Sequence, residues 1–301
     1  MKKVCIIVGP TGVGKTSLSI ELAKKFNGEI ISGDSMQVYK EMSIGTAKIK
    51  KEEMQGIPHH LVDCYKFDEE YHVKLFQEKA RAAIDDITSR GKLPIICGGT
   101  GLYIKSVLYD YQFSEDKEDD EFIQFLNTRS KDELYGLLQV IDPKSCEKIH
   151  KNNTKRVIRC LCIAHSGEKK SDSEEKQKHE MIYDAYIIGL TLPREQLYQR
   201  INDRVDMMMD EGLFEEIKYL TTLKENVWDL QSMQGIGYKE WKQYFTNEAS
   251  INDCVELIKK NSRNFAKRQY TWFNNQMEVH WYDKNEEYQT KISEDVEKWL
   301  K

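Results

Sequence analysis

The chain has 301 residues, with 45 Lys and Arg against 50 Asp and Glu, giving a net charge of −5. That length carries one large α/β core with room for a smaller appendage, and the acidic balance excludes wholesale electrostatic coating of nucleic acid while permitting local basic faces. Seven cysteines are scattered with neither C-x-x-C nor zinc spacing, and no apolar stretch approaches the ~18 residues of a membrane span, so a soluble cytoplasmic protein with free thiols is expected.

Residues 4–8 form an apolar run, and Gly9-Pro10-Thr11-Gly12-Val13-Gly14-Lys15-Thr16 follows it before a helical pattern over 17–26. The order strand, G-x-x-x-x-G-K-[ST], helix describes a phosphate loop. Backbone N–H groups point inward around phosphate oxygens, Lys15 adds a point charge, Thr16 offers a hydroxyl to Mg²⁺, and the helix N-terminus adds its positive end. The loop fixes a phosphate-rich ligand without fixing its identity, because nucleotide hydrolysis, kinase and other pyrophosphate chemistry share it.

A second strand is predicted over 29–32, delivering Gly33-Asp34-Ser35-Met36-Gln37-Val38-Tyr39 at its carboxyl end. A helix over 73–89, a stop at Gly91 and a strand over 93–97 bring Gly98-Gly99-Thr100-Gly101-Leu102-Tyr103 to the same edge, where open α/β sheets bind ligands. The polar run 114–121 breaks the βα rhythm, mostly helical pattern follows to about Ala164, and 166–180, rich in Ser, Lys and Glu, reads as a solvated loop. A strand over 186–192 resumes the core, a long helix runs from near Pro193 to Gly212, and a basic helix over 251–274 precedes a last strand at 279–282. The fold class is therefore α/β, a P-loop NTPase-like parallel sheet core with an inserted helical domain. The divisions are 1–112 and 182–301 for the core and 113–181 for the insert.

Four constellations carry possible chemistry. Asp34 suits a general base, a second-sphere Mg²⁺ partner or a turn residue, and Ser35 and Gln37 beside it hold donors and acceptors able to read a base edge. Thr100, between glycines, is either a presented hydroxyl or a helix N-cap. Arg204, with Arg200 and acids Asp203 and Asp206 nearby, is either a surface ion-pair partner or a clamp on an anionic leaving group. Lys259, Lys260, Arg263, Lys267 and Arg268 on the basic helix, with Lys144, Lys148, Lys151, Lys155, Arg156 and Arg159 in the insert, suggest a polyanion partner. His59-His60 with Asp63 lack a third ligand at metal spacing and read as structural. On these residues alone a small-molecule or nucleotide kinase and an NTP-dependent RNA-binding switch stay open.

The segments GPTGVGKT (9–16), SGDSMQVY (32–39), IGTAK (44–48), PHHLVD (58–63), CGGTGLY (97–103), RINDRVD (200–206), MQGIGYKE (233–240) and AKRQYTWF (266–273) stand in an order that resembles the tRNA dimethylallyltransferase family. The resemblance covers nearly the whole chain. It implies transfer of a dimethylallyl group from dimethylallyl diphosphate to N6 of adenosine 37, beside the anticodon, in tRNAs reading codons that begin with U. Carried over, Gly9 to Thr16 would hold the diphosphate, with Mg²⁺ on Thr16. Asp34 would be the base on N6, Thr100 would sit at the reaction centre, and Arg204 would assist the leaving diphosphate. Asp34, Ser35, Met36, Gln37, Thr100, Lys155, Arg156, Arg159, Gly235, Lys239, Arg263, Lys267 and Arg268 would touch tRNA. Lys155-Arg156 in place of the common Gln-Arg pair, and Cys160 in place of a small Ala, depart from the family pattern in the insert. A relative of this family that prenylates free adenine nucleotides is a further alternative. A monomer is expected.

Overall fold

A computed structural model describes residues 1–113, 119–177 and 179–301. The chain forms two compact units, one of Met1–Leu108 with Ile182–Lys301 and one of Tyr109–Met181.

The larger unit is built on six parallel strands among the described residues: β1 (Lys3–Val8), β2 (Gly28–Ser32), β3 (His59–His60), β4 (Leu93–Cys97), β5 (Asp184–Thr191) and β6 (His280–Asp283), in the order β3-β2-β4-β1-β5-β6. Val4 through Val8 are wholly buried, the near-continuous apolar strand that a parallel sheet covered on both faces demands. The chain leaves β1 first toward β2, β3 and β4 and later toward β5 and β6. The carboxyl edge on either side of β1 is therefore the topological switch point.

Helices α1 (Lys15–Lys25), α2 (Val73–Ser89) and α3 (Gly101–Leu108) come before the insert; α9 (Arg194–Asp210), α10 (Leu213–Leu223), α11 (Lys242–Phe245), α12 (Ile251–Gln276) and α13 (Tyr288–Leu300) come after it. Leu18 and Leu22 of α1, Leu197 and Ile201 of α9, Ala266 of α12 and Ile292 and Val296 of α13 share one core cluster with Ile7, Ile95 and Ile188 of the sheet. The cluster ties α9 and α12, which carry the candidate arginines, to the strands that end at the phosphate loop. At the other end of β2, Glu29 is 2 % exposed and takes hydrogen bonds from Arg90, Lys92 (2.7 Å) and His60 (2.8 Å). Arg90 first, with Lys92 and His60, holds that carboxyl well below the usual carboxylate range against the burial that opposes it. His60 is thus a structural partner, and His59 Nδ1 meets Ile57 O at 2.8 Å.

The smaller unit holds α4 (Asp120–Asn127), α5 (Lys131–Ile141), α6 (Pro143–Lys148), α7 (Thr154–His165) and α8 (Lys170–Lys176) around a core of Leu126, Leu134, Leu138, Val157, Cys160 and Leu161. A capping box of Ser130 and Glu133 starts α5. The expected solvated loop over 166–180 is corrected in its middle. Residues 170–176 are helical, with Ser171 and Ser173 buried. Asp142, itself buried, accepts from the Ser171 N–H (3.1 Å) and the Ser145 hydroxyl (2.6 Å). Polar burial of this kind leaves no apolar signal in sequence. Of the polar run 114–121, residues 114–118 lie outside the described residues; Asp119 caps α4 and Asp120 and Glu121 open it.

Candidate active site

Glycine opens the phosphate loop because of what surrounds it. At Gly9 (φ 140°) an added Cβ would lie 2.7 Å from Leu190 O of β5, and Gly14 (φ 104°) takes the left-handed turn that starts α1. Lys15 Nζ donates back to Gly9 O (3.0 Å) and Pro10 O (2.9 Å). Burial drives the Lys15 ammonium down to about 8, with Arg204 adding to the shift and Cys97 and Asp34 opposing it. Not every loop amide faces a ligand: Thr11 N–H is taken by Gln269 Oε1 (3.0 Å) and Val13 N–H by Pro10 O (3.4 Å). The amides of Lys15 and Thr16, at the helix start where no intrahelical acceptor exists, remain for phosphate. Thr16 is exposed, and its hydroxyl has no protein partner among the described residues.

Only the protonated lysine attracts a diphosphate, so affinity for that ligand falls as pH rises through about 8. Equilibrium binding of inorganic pyrophosphate with Mg²⁺ between pH 7 and 9.5 is expected to weaken toward ~10-fold per unit above that point. The loss of affinity is expected to be absent in Lys15→Met; a flat wild-type profile would mean that the Lys15 ammonium keeps its charge throughout this range.

Asp34 and Thr100 come from neighbouring strands. Gly33 and Gly98 lie back to back, leaving no room for a Cβ at Gly98, and Thr100 N–H donates to Gly33 O (3.4 Å). Asp34 Oδ1 accepts the Met36 N–H at 2.8 Å, which fixes the carboxylate by a turn bond and leaves its other oxygen for chemistry. The Thr100 carbonyl accepts from Tyr103 and Ile104 N–H, while its hydroxyl caps nothing among the described residues. Arg204 is no surface ion-pair partner. It donates to Thr11 Oγ1 (3.3 Å) and Ala47 O (3.5 Å), and burial lowers its pKa against the pull of Asp34.

Two cavities adjoin here. One of about 900 Å³ is lined by Gly12, Gly14, Lys15, Thr16, Lys48, Cys97 and Arg200, and one of about 470 Å³ by Ser35, Met36, Tyr39, Tyr71, Thr100, Tyr103, Gly235, Lys239 and Arg268. Thr11, Asp34, Thr46, Arg204, Met208 and Phe265 line both. A chamber that holds the phosphate loop, lined by both basic and acidic side chains, thus meets an aromatic and polar one at a carboxylate and a guanidinium.

The remaining candidates separate. Gln37 lines the larger cavity, and its amide is spent on Ser32 Oγ (3.3 Å), Thr46 O (3.3 Å) and Ala47 O (3.4 Å), so it holds the neighbouring loop and does not stand with Ser35 and Met36. Arg263 donates to Asn202, and Lys259 pairs with Asp206 (2.7 Å) and Glu256 (3.1 Å); Lys267 and Arg268 are exposed. In the smaller unit Lys144, Lys148 and Lys151 pair with Glu175, Glu174 and Asp132. On α7, Lys155, Arg156 and Arg159 share one exposed side. Asp63 neutralises the buried Lys48 at 2.5 Å.

Two site residues carry no signal that a reading of the sequence picks out. Gln269, buried on α12, joins the phosphate loop to Gly99, and Glu216 accepts the N–H groups of Ser43 (2.8 Å), Ile44 (2.8 Å) and Gly45 (3.1 Å) together with the Tyr238 hydroxyl (2.7 Å). Gln269 stands inside the segment AKRQYTWF (266–273), so its neighbourhood is visible; nothing local marks Glu216.

Residues 37–276 match the family described as IPP transferase, and residues 2–69 the family described as isopentenyl transferase. A tRNA dimethylallyltransferase from Anoxybacillus flavithermus is 54% identical over 283 residues, covering 94% of this chain and 90% of that protein. The crystal structure of a tRNA delta(2)-isopentenylpyrophosphate transferase from Staphylococcus epidermidis matches at TM-score 0.74 and 42% identity, over 100% of this chain and 99% of that one. A eukaryotic dimethylallyltransferase acting on tRNA matches at TM-score 0.84 and 36% identity, over 99% of this chain and 78% of that one.

Proposed function

We propose the following reaction for this chain, which belongs to the IPP transferase family: it transfers a dimethylallyl group to tRNA, taking the group from dimethylallyl diphosphate and placing it on N6 of adenosine 37 in tRNAs that read codons beginning with U. The observation that carries the assignment of roles is the pair of adjoining cavities that share Thr11, Asp34 and Arg204. The chamber at the phosphate loop, where Lys15 and the helix start stand, suits the diphosphate, and the aromatic and polar one suits a base turned out of its stack. Family membership sets the kinase and RNA-switch readings aside.

In this reading Lys15 and the amides of Lys15 and Thr16 hold the diphosphate, and Arg204 lies between it and Asp34. The C1–O bond of the allylic diphosphate breaks as N6 forms its bond to C1, and the bonding electrons leave with the diphosphate. Lys15 and Arg204 are already in place for that charge, in a buried setting where it is worth more than in water. The N6 proton passes to the Asp34 carboxylate, whose geometry is fixed by Met36 N–H. The Thr100 hydroxyl, uncommitted within the protein, orients the amino group. The unpartnered Thr16 hydroxyl at the helix start fits Mg²⁺, which takes few protein ligands and most of its shell from phosphate and water. Bound there, the ion would neutralise diphosphate charge.

No helix among the described residues is long and apolar enough to cross a membrane, and all seven cysteines are free; with a tRNA substrate these support a cytoplasmic location. The decisive experiment incubates the chain with unmodified tRNA bearing A36-A37-A38, Mg²⁺ and radiolabelled dimethylallyl diphosphate, then identifies nucleoside 37 by nuclease digestion and mass analysis. Label on N6 of that nucleoside is expected. Label elsewhere, or none with ATP turnover in a parallel assay, overturns the reading.

A further inference from the structure

Helix α12 reaches the site through one buried side chain. Gln269 Oε1 accepts the Thr11 N–H at 3.0 Å and Gln269 Nε2 donates to Gly99 O at 2.9 Å. Three residues on, Trp272 lies over Gly101, where an added Cβ would fall within the indole; at Gly99 it would fall on the Gln269 amide. The two neighbours of Thr100 are thus both covered by α12, and the same amide grips the residue whose hydroxyl receives Arg204.

We propose that Gln269 is a positioning residue for the transfer. Its amide clamps the Thr11 N–H to the Gly99 carbonyl and so sets the spacing between the diphosphate cradle and the acceptor chamber. The inference rests on the donor and acceptor assignment above. The chemistry requires a side chain with one acceptor and one donor on a two-carbon arm. A carboxylate offers only acceptors and a thioether offers no donor. Because the amide is buried, breaking either bond leaves a main-chain group unpaired, so the clamp stays closed in the folded protein. Misplacement of reacting groups by a fraction of an ångström lowers the rate of a displacement without weakening the binding of either substrate.

Gln269→Met is close in volume and removes both bonds. It is expected to lower kcat by about 10- to 100-fold while KM for dimethylallyl diphosphate and for tRNA stays within about threefold of wild type. Gln269→Glu keeps the bond from Thr11 and sets a carboxylate oxygen against the Gly99 carbonyl, so it is expected to lose kcat similarly and provides the second test should the methionine variant fold poorly. Rates are read per folded molecule from the thermal transition. If the residue acts partly by placing the Thr100 segment, Gln269→Met costs at most about a third as much in a Thr100→Ala background as in wild type. Wild-type kcat in both variants, a loss that appears only in KM, or equal losses in the two backgrounds overturns the proposal. A wild-type chain that fails to prenylate tRNA overturns the reading of the function as well, which separates the two failures.

Discussion

Replacing Asp34 by asparagine is expected to lower kcat for transfer to tRNA by about 10²- to 10⁴-fold, the range a positioned general base supplies. The substitution is unusually clean here. The Asp34 oxygen that accepts the Met36 N–H at 2.8 Å has its counterpart in the asparagine carbonyl, so the turn and the placement of Ser35 and Met36 survive. What disappears is an atom able to take a proton from N6, together with a negative charge opposite Arg204 and Lys15. Affinity for tRNA, measured by filter binding or anisotropy, is expected to stay within about threefold, because the exposed cations of α12 and α7 are untouched. An asparagine variant that keeps more than a tenth of wild-type kcat would remove Asp34 from the proton transfer and return it to the role of a turn residue.

Arg204→Ala is the second large effect, about 10²- to 10³-fold in kcat, as for other groups aimed at charge that develops in a transition state. The half-buried guanidinium stands between Thr11 Oγ1 and Ala47 O, at the junction of the two cavities. Burial lowers its pKa and Asp34 opposes that shift; an arginine starts so far above neutrality that it remains charged throughout the working range. Arg204→Lys is expected to recover only part of the loss, since one ammonium cannot span the two acceptors that the planar guanidinium meets. Single-turnover transfer from labelled dimethylallyl diphosphate separates the chemical step from release of product. Unchanged single-turnover rates in the alanine variant would place the leaving charge on Lys15 alone.

The core elements were legible because each announces itself locally. The helix expected over 73–89 and the strand over 93–97 coincide with α2 and β4, since a 3.6-residue apolar period and a short branched-aliphatic run ended by glycine are local properties. The same holds for the basic helix expected over 251–274, which continues two residues further to Gln276. The segment 166–180 misled because it folds back as a helix whose buried Ser171 gives its N–H to Asp142, a polar burial that leaves no apolar run to read. The charge count misled in a related way: Lys144, Lys148 and Lys151 read as free cations until their carboxylate partners, 19 to 31 residues away, are brought beside them.

The sequence by itself determined the phosphate loop, the three strand ends that carry it, Asp34 and Thr100, and the family, because these are set by spacing along the chain and by backbone demands that only glycine meets. The tertiary structure alone decided that Arg204 is half-buried at a junction of two cavities, that Gln37 props a loop, and that Glu216 and Gln269 hold the site's walls. The partners of these side chains lie 193 residues away for Arg204 and Thr11, 173 for Glu216 and Ser43, and 258 for Gln269 and Thr11. A hydrogen bond closed over such a distance depends on how the sheet orders its strands, and no local pattern of residues records that order.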